Sequence, residues 1–327
     1  MALDYRIEKE IAIEAVTEAA RLCQQVRTEM VQPDALEKDD RSPVTVADFG
    51  AQALVCRSLT AAFPGEAIVA EEDSAELQQH PDQLQRVTAY VRRFQPAADA
   101  ATVCDWIDAG GSAGASAARF WTLDPIDGTK GFLRNDQYAI ALALIEGGQV
   151  QVAALACPAL PLNLDEPGSP VGTVLVAVRG QGAQMASLGA SDFAPIGVSQ
   201  RALRFVESVE AGHGDHTRQQ AVARAAGITQ PSLRMDSQAK YGAVARGDAA
   251  LYLRLPSPKS PDYREKIWDH AAGTLVVTEA GGTVTDMHGQ PLDFAAGSKL
   301  VNNRGVVVSN GAIHPAVIRA LKGERAL

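Results

Sequence analysis

The stretch that most constrains this chain is residues 121–134, which read WTLDPIDGTKGFLR. A short apolar strand leads into two carboxylates, Asp124 and Asp127, three residues apart. Pro125 lies between them, has no backbone N–H and has a fixed φ, which predicts that the two acids sit in a turn and not on a helix face. Both side chains can then point into one small volume.

Two carboxylates held this close raise each other's pKa unless a cation binds both. Hard divalent ions with oxygen ligands, Mg²⁺ above all, suit such a site. The small residues at 128–131 leave backbone N–H groups free to face an anion, especially where a helix begins. The stretch therefore predicts phosphoryl chemistry. Taken alone, it is equally compatible with a polar turn that ends a strand.

Composition limits the partners that this site can serve. The 327 residues carry a net charge of −9, opposite to what a binder of nucleic-acid polymers normally shows, but a small anionic ligand remains open because local cations can oppose the global charge. No apolar run is long enough to cross a bilayer, and the N-terminus has no signal-peptide pattern, so we expect a cytoplasmic protein. The four cysteines form no CxxC pair and are expected to be reduced and mostly buried.

Apolar periodicity and turn residues predict the elements. Helices are expected over residues 5–30, 49–63, 75–100, 219–226, 241–250, 271–279 and 313–321. Strands are expected over residues 67–70, 138–146, 149–155, 171–178, 183–185, 250–255, 283–286 and 306–309, and loops over 32–41, 109–118, 212–216 and 256–262. This pattern indicates a mostly antiparallel sheet between 120 and 200 and an α/β half after a boundary near 200.

Five acids stand at the edges of these elements. Asp48 is predicted near a helix N-terminus, where capping is its simplest role, and Asp269 in the first turn of a helix, where the dipole favours an acid. Glu71 opens an acidic run that is compatible with a solvated loop. Considered together with Asp124 and Asp127, they favour a shared site, because α/β proteins build sites at such edges.

The motif DPIDGT, followed by WDHAAG and by Gly281-Gly282, resembles the paired signature of the lithium-sensitive, magnesium-dependent phosphatases of the inositol monophosphatase superfamily. The resemblance runs from about residue 5 to 310. It implies a layered α/β sandwich, with an α+β half over residues 1–200 that binds metal, an α/β half over 201–327 that binds the substrate, and the active site between them.

Within that superfamily the chain is most similar to the 3′(2′),5′-bisphosphate nucleotidases. The motifs behind this narrower resemblance are SPVTVAD, EED, DGTKGFLR, SVEAGH, DSQAKY, YLRL and EKIWDHAAG. Lys130 stands where inositol phosphatases usually have asparagine. The resemblance implies hydrolysis of adenosine 3′,5′-bisphosphate to AMP and phosphate, with a small-molecule nucleotide as partner and no nucleic-acid polymer, membrane or obligate protein partner.

The resemblance also implies roles for individual residues. Two or three Mg²⁺ ions are expected on Glu71, Asp124, the carbonyl of Ile126, Asp127 and Asp269. Asp48 and Thr129 are expected to form a hydrogen-bonded pair that, with Glu71, orients and deprotonates the attacking water. The substrate is expected to contact Gly128, Thr129, His213, Ser237, Lys240, Arg254 and Asp269. Because the loop reads GHGDH, His216 remains an alternative to His213.

Two other functions stay open from the sequence. An inositol polyphosphate phosphatase would have the same fold and the same acids. A nucleotide-sensing protein that binds without hydrolysis belongs to a different class. The presence of both Asp48 and Thr129 favours an enzyme, since a protein that only binds its ligand needs neither.

Overall fold

The computed structural model describes residues 4–30, 42–112, 117–201, 203–210, 216–257, 259–260 and 262–323. Its helices are α1 Arg6–Met30, α2 Ser42–Ala62, α3 Ser74–Gln78, α4 Pro81–Val91, α5 Ala100–Asp108, α6 Thr129–Leu133, α7 His216–Ala225, α8 Ala239–Ala245, α9 Ala271–Glu279 and α10 His314–Leu321. Its strands are β1 Ala67–Ala70, β2 Arg119–Asp127, β3 Ala139–Glu146, β4 Gln149–Pro161, β5 Val171–Val178, β6 Ala183–Ser187, β7 Ala194–Ile196, β8 Phe205–Glu207, β9 Leu233–Arg234, β10 Leu251–Arg254, β11 Thr283–Thr285 and β12 Val306–Ser309.

Seven strands form the first sheet, in the order β1 to β7. Strand β1 runs parallel to β2, and every later neighbour pairs antiparallel. Gly147 and Gly148 connect β3 to β4 with φ of 58° and 74°, the left-handed conformation that a tight two-residue hairpin requires at both positions. The predicted antiparallel sheet is confirmed, with one parallel strand added at its edge.

Five strands form the second sheet, in the order β11-β12-β10-β8-β9. Strand β12 is antiparallel to both of its neighbours, whereas β10, β8 and β9 run parallel to one another. Parallel neighbours need long crossover connections, and helices α7 and α8 lie within the segments that join these three strands. The second half is therefore α/β in character.

Alternating side chains along the strands build the layers. On β3, Leu142 packs in a core with α1 and α2, while Ala141 packs in a core with α8 and α9. On β12, Val308 belongs to the core with α8 and α9, and Val307 packs with α7 and α10. The layers are helix, sheet, helix, sheet and helix, so the predicted layered α/β sandwich is confirmed.

Several local predictions were wrong. Helix α2 begins at Ser42, so Asp48 lies in its second turn and is not an N-cap. The single helix expected over 75–100 is two helices, since Pro81 lacks the N–H that would continue α3 and stands in the first turn of α4. Strand β2 continues through Asp127, so the two acids lie on a strand and not in a turn.

Asp269 precedes α9 and does not lie in its first turn, because His270 occupies the N-cap position. The loop expected over 32–41 lies entirely outside the described residues. Most of the loop expected over 212–216 also lies outside them. The four cysteines are free and buried, as expected. None of the helices in the described ranges combines the length and the apolar character that a membrane span needs.

Candidate active site

The end of β2 carries the two central acids through an irregularity in the sheet. Asp124 pairs with Ala141 of β3, but the next pair is Asp127 with Ala139, so β2 has one extra residue across this step. Such a bulge re-aims side chains at the end of a strand, and Pro125 contributes no N–H to the ladder here. Both acids line one cavity of about 420 Å³.

A tight turn connects this strand to helix α6. Gly128 has a φ of 88°, and a Cβ at this position would lie 2.9 Å from Cβ of Ser237. Only glycine avoids both the backbone strain and that contact. The turn therefore brings the start of α6, with Thr129, directly against the segment that carries Ser237, and all three residues line the cavity.

Glu71 reaches the same cavity because β1 is parallel to β2. Ala70, the last residue of β1, is paired with Leu123 of β2. The residues that follow these two, Glu71 and Asp124, are both acids and therefore lie side by side. Asp269 arrives from the segment before α9 and also lines the cavity. Four carboxylates from three separate segments thus face one space.

Burial and mutual repulsion raise the pKa values of these four acids. Burial, followed by repulsion from Asp269, raises the pKa of Glu71 to about 7. Burial and the charge of Glu71 raise the pKa of Asp124 well above its usual range. Burial raises the pKa of Asp127 to about 6, although Lys240 opposes the shift, and burial also raises the pKa of Asp269. Each ionised carboxylate thus makes ionisation of the others less favourable. A cation bound by several of them would remove this repulsion.

One buried oxygen has no partner inside this cluster. Oδ1 of Asp124 is inaccessible and makes no hydrogen bond to the described residues. An orphaned carboxylate oxygen beside three other carboxylates matches the all-oxygen donor set of a hard divalent cation. The residues present therefore fit magnesium.

Among the described residues, Glu265, Asp269 and His270 form the group whose ligand atoms all lie within 4.8 Å of one another, and Asp269 is the one acid that it shares with the cluster above. Here the carboxylate of Glu265 is already engaged, since Oε1 lies 3.1 Å from Nε of Arg254 and Oε2 lies 3.5 Å from Nε2 of His270. We therefore read Glu265 as an ion-pair partner and Asp269 as the member of this group that faces the other acids.

Asp48 is buried beside the cluster but does not line the cavity. Burial raises its pKa well above the usual range, followed by the charges of Glu72 and Glu71. The hydrogen bonds of the described residues include none between Asp48 and Thr129, so that pairing stays a prediction.

Two cationic groups also line the cavity, close enough to the acids for Lys240 to oppose the raised pKa of Asp127 and for Arg254 to oppose that of Asp269. Lys240 is buried, its Nζ lies 3.4 Å from the carbonyl of Met235, and burial lowers its pKa to about 8. Arg254 also lines the cavity. Ser237 has a φ of 63°, an unusual backbone conformation for a residue other than glycine, and such strain is most often found at functional sites.

Of the two candidate histidines, His216 is among the described residues. His213 lies outside the described residues. His216 begins α7, with Nε2 3.1 Å from the carbonyl of Glu210 and Nδ1 3.5 Å from Oε2 of Glu207, and it does not line the cavity.

The sequence interpretation missed several residues of the cavity wall. They are Lys130, Glu210, Asp236, Gln238, Tyr241, Tyr252, Glu265 and His270. All but Gln238 carry groups that titrate or pair with charges, and each lies inside a motif already quoted, such as SVEAGH or EKIWDHAAG. The motifs contained the signal, but only the fold shows which of their side chains face the cavity.

Comparisons with known proteins identify the family of this chain. Residues 3–325 match the model of the inositol monophosphatase family. The chain is 44% identical over 339 residues to a 3′(2′),5′-bisphosphate nucleotidase of Schizosaccharomyces pombe, covering 97% of this chain and 96% of that protein. It is 43% identical over 342 residues to the Oryza sativa protein of the same name, covering 97% and 94%.

A solved structure supports the fold. Inositol monophosphatase from Anabaena superposes with a TM-score of 0.64 at 21% identity, covering 99% of each chain. Identity at this level is evidence for a common architecture alone.

Proposed function

We propose that this chain, which belongs to the inositol monophosphatase family, is a magnesium-dependent 3′(2′),5′-bisphosphate nucleotidase that hydrolyses adenosine 3′,5′-bisphosphate to AMP and phosphate. The observation that carries the proposal is a single cavity that Lys240 and Arg254 line together with the carboxylates of Glu71, Asp124, Asp127 and Asp269. Acids that fit a divalent cation, close to cations that fit phosphate, suit a phosphomonoester substrate.

The proposed metal ligands are Glu71, Asp124, the carbonyl of Ile126, Asp127 and Asp269, and we expect two or three Mg²⁺ ions. Bound divalent cations would acidify water and stabilise negative charge on the attacking and leaving oxygens. The unpartnered Oδ1 of Asp124 and the raised pKa of Glu71 support this assignment.

The chain's own residues would position the water and take its proton. We assign Thr129, at the start of α6, to accept a hydrogen bond from the attacking water at Oγ1, with Glu71 fixing the water from β1. A threonine hydroxyl is too weak a base to act alone, so its proton would pass to Asp48. Burial raises the pKa of Asp48, which makes its carboxylate more basic than an exposed aspartate.

The nucleotide would lie across the remaining wall. Lys240 and Arg254 would hold the phosphate that is kept. The cavity of about 420 Å³ falls in the usual range for small-molecule sites. We assign the protein to the cytoplasm, in keeping with four buried thiols that form no disulfide.

Phosphate release tests the proposal. Purified protein with Mg²⁺ should release phosphate from adenosine 3′,5′-bisphosphate and leave AMP, and chelation of the metal should stop the reaction. Inositol 1,4-bisphosphate serves as the matched substrate for the alternative phosphatase, and faster turnover of it would overturn the nucleotidase assignment. A single-turnover experiment with enzyme in excess separates an enzyme from a binding protein, because a protein that only binds would release no phosphate.

A further inference from the structure

Two acids in the cavity wall are paired with a cation that does not itself line the cavity. Glu210 and Asp236 face the cavity, whereas Arg134 lies behind them. One Nη atom of Arg134 donates to Glu210 and the other donates to Asp236. Lys130 adds a contact from the rim, with Nζ 2.8 Å from Oε2 of Glu210.

This bridge joins segments that are distant in the sequence. Arg134 caps the C-terminus of α6, the helix that begins with Thr129. Glu210 follows β8, and Asp236 follows β9 and precedes Ser237. The planar guanidinium can serve two carboxylates at once, which a single lysine ammonium does less well.

The two acids that Arg134 pairs with are largely buried, so little water is available to screen their charge. The Asp236 side chain is 5% exposed and the Glu210 side chain 20% exposed. Hydrogen bonding from Lys130 is the main reason that the pKa of Glu210 is lowered, and Arg134 contributes to it. A carboxylate in the wall without its cation would repel any ligand that carries phosphate groups, and the repulsion would grow with the ligand's charge.

We propose that Arg134 is a positioning residue for the nucleotide site, which neutralises Glu210 and Asp236 from behind and holds the Ser237 segment against α6, so that the wall accepts a doubly phosphorylated ligand. The inference rests on the proposed function. It concerns selectivity for ligand charge and leaves the cleavage step to the residues around Asp127.

Arg246 offers a matched control. Its side chain is 4% exposed, it pairs with Asp248, and its Nη1 donates to the carbonyl of Pro161 at 2.6 Å. It therefore also ties strand β4 to the end of helix α8, yet it does not line the cavity or contact a residue that does. If a bridging arginine matters only for stability, Arg134 and Arg246 should behave alike.

The experiment compares Arg134→Gln, Arg134→Lys, Arg246→Gln and the triple variant Arg134→Gln/Glu210→Gln/Asp236→Asn. The kcat and KM are measured at about pH 8, where carboxyl groups are ionised even when moderately perturbed, for adenosine 3′,5′-bisphosphate and for p-nitrophenyl phosphate, alongside the thermal midpoint. Arg134→Gln should raise KM for the bisphosphate by about tenfold, because Asp236 loses its arginine partner and Glu210 keeps only the exposed Lys130, and KM for the monoester by less than about twofold. The triple variant should recover most of the loss, and Arg134→Lys part of it.

Equal losses for both substrates, or no recovery in a triple variant that melts like wild type, would overturn the inference. A selective KM increase in Arg246→Gln would overturn it as well. Wild-type turnover of the bisphosphate tests the proposed function separately. If the wild-type protein does not turn over the bisphosphate, the proposed function is refuted. If it does, but KM is unchanged in Arg134→Gln, only the role of Arg134 is refuted.

Discussion

Arg254 and Glu265 form an ion pair at the cavity, with Nε of Arg254 3.1 Å from Oε1 of Glu265. The other oxygen of Glu265 lies 3.5 Å from Nε2 of His270, whose Nδ1 lies 2.7 Å from the hydroxyl of Tyr241. Burial alone would raise the pKa of Glu265, but His270 and Arg254 lower it to about 2. Glu265 therefore stays ionised and fixes one edge of the Arg254 guanidinium.

Replacing Glu265 tests this positioning. Glu265→Ala should raise KM for the bisphosphate by about five- to tenfold, because Arg254 loses its anchor, and should lower stability by about 2 kcal/mol. Glu265→Gln keeps an acceptor for Nε and should raise KM less than about threefold. Steady-state kinetics and thermal melts give both quantities. A lower KM in Glu265→Ala would mean that Glu265 acts only by repelling the ligand.

The sequence predicted regular elements well where one pattern dominated. The bounds of β1, β5, β12 and α9 match their predicted ranges, since each is a largely apolar run with a charged, proline or glycine residue at or near each end. It failed where tertiary contacts override local signals. Asp48 is of a type preferred at N-caps, yet α2 begins at Ser42, and Val46 and Ala47, which precede Asp48, are buried in the core that includes α1.

The candidate site was predictable as a set of residues but not as a geometry. Ten of the twelve predicted site residues line the cavity, while Asp48 lies beside it and His213 is outside the described residues. The parallel register of β1 and β2, which sets Glu71 beside Asp124, leaves no trace in either segment. Nor does the local sequence reveal that Arg134 is anchored by Glu210, which is 76 residues away.

Gly131 tests how closely α6 must approach its neighbours. A Cβ at this position would lie 2.0 Å from the carbonyl oxygen of Gln137 and 3.0 Å from Cβ of Asp236. Gly131→Ala should therefore cost about 3 kcal/mol and lower the thermal midpoint by about 5 °C. It should also reduce kcat, since Thr129 is on the same short helix.

Gly168→Ala is the matched control for that substitution. Gly168 has a φ of 83° and open space around its would-be Cβ, so alanine there should cost only the backbone strain, about 1 kcal/mol, without affecting kcat. Similar melting and activity for the two variants would show that the close approach at Gly131 relaxes easily.

The acid cluster predicts an unusual pH dependence for metal-free protein. Folding raises the pKa of Asp127 from 3.8 to about 6 and that of Glu71 from 4.5 to about 7, burial being the main cause. Acids with raised pKa values stabilise the fold fully below the unfolded values, and this stability is lost as pH rises through the folded values. The thermal midpoint in chelator should therefore fall between about pH 4 and 7.

Magnesium should remove most of that fall, because it stabilises the ionised carboxylates in the native state. Lys240 does not obscure the effect, because folding lowers its pKa from 10.5 to about 8, above this window, and Glu265, whose pKa falls from 4.5 to about 2, adds its stability mostly below it. Thermal melts with and without Mg²⁺ across this pH range measure it. A metal-free midpoint that rises from pH 4 to 7, with no added stability from magnesium, would contradict the prediction.

Asp127→Asn separates the proposed catalytic role of the cluster from its cost to the fold. Asparagine has nearly the same shape but no charge, so it removes repulsion toward Asp269 and, in the proposed site, a metal ligand at the same time. We expect phosphate release to fall by at least about a thousandfold, while metal-free protein at about pH 8 gains about 2 kcal/mol of stability. The midpoint shift on adding Mg²⁺ should shrink in the same variant, because one proposed ligand is lost.

Phosphate assays and thermal melts on the same preparation of Asp127→Asn test the loss of activity and the gain of stability together. An active Asp127→Asn protein would exclude Asp127 from the metal site, whereas an inactive one that is less stable than wild type in chelator would mean that its carboxylate supports the fold through contacts other than repulsion.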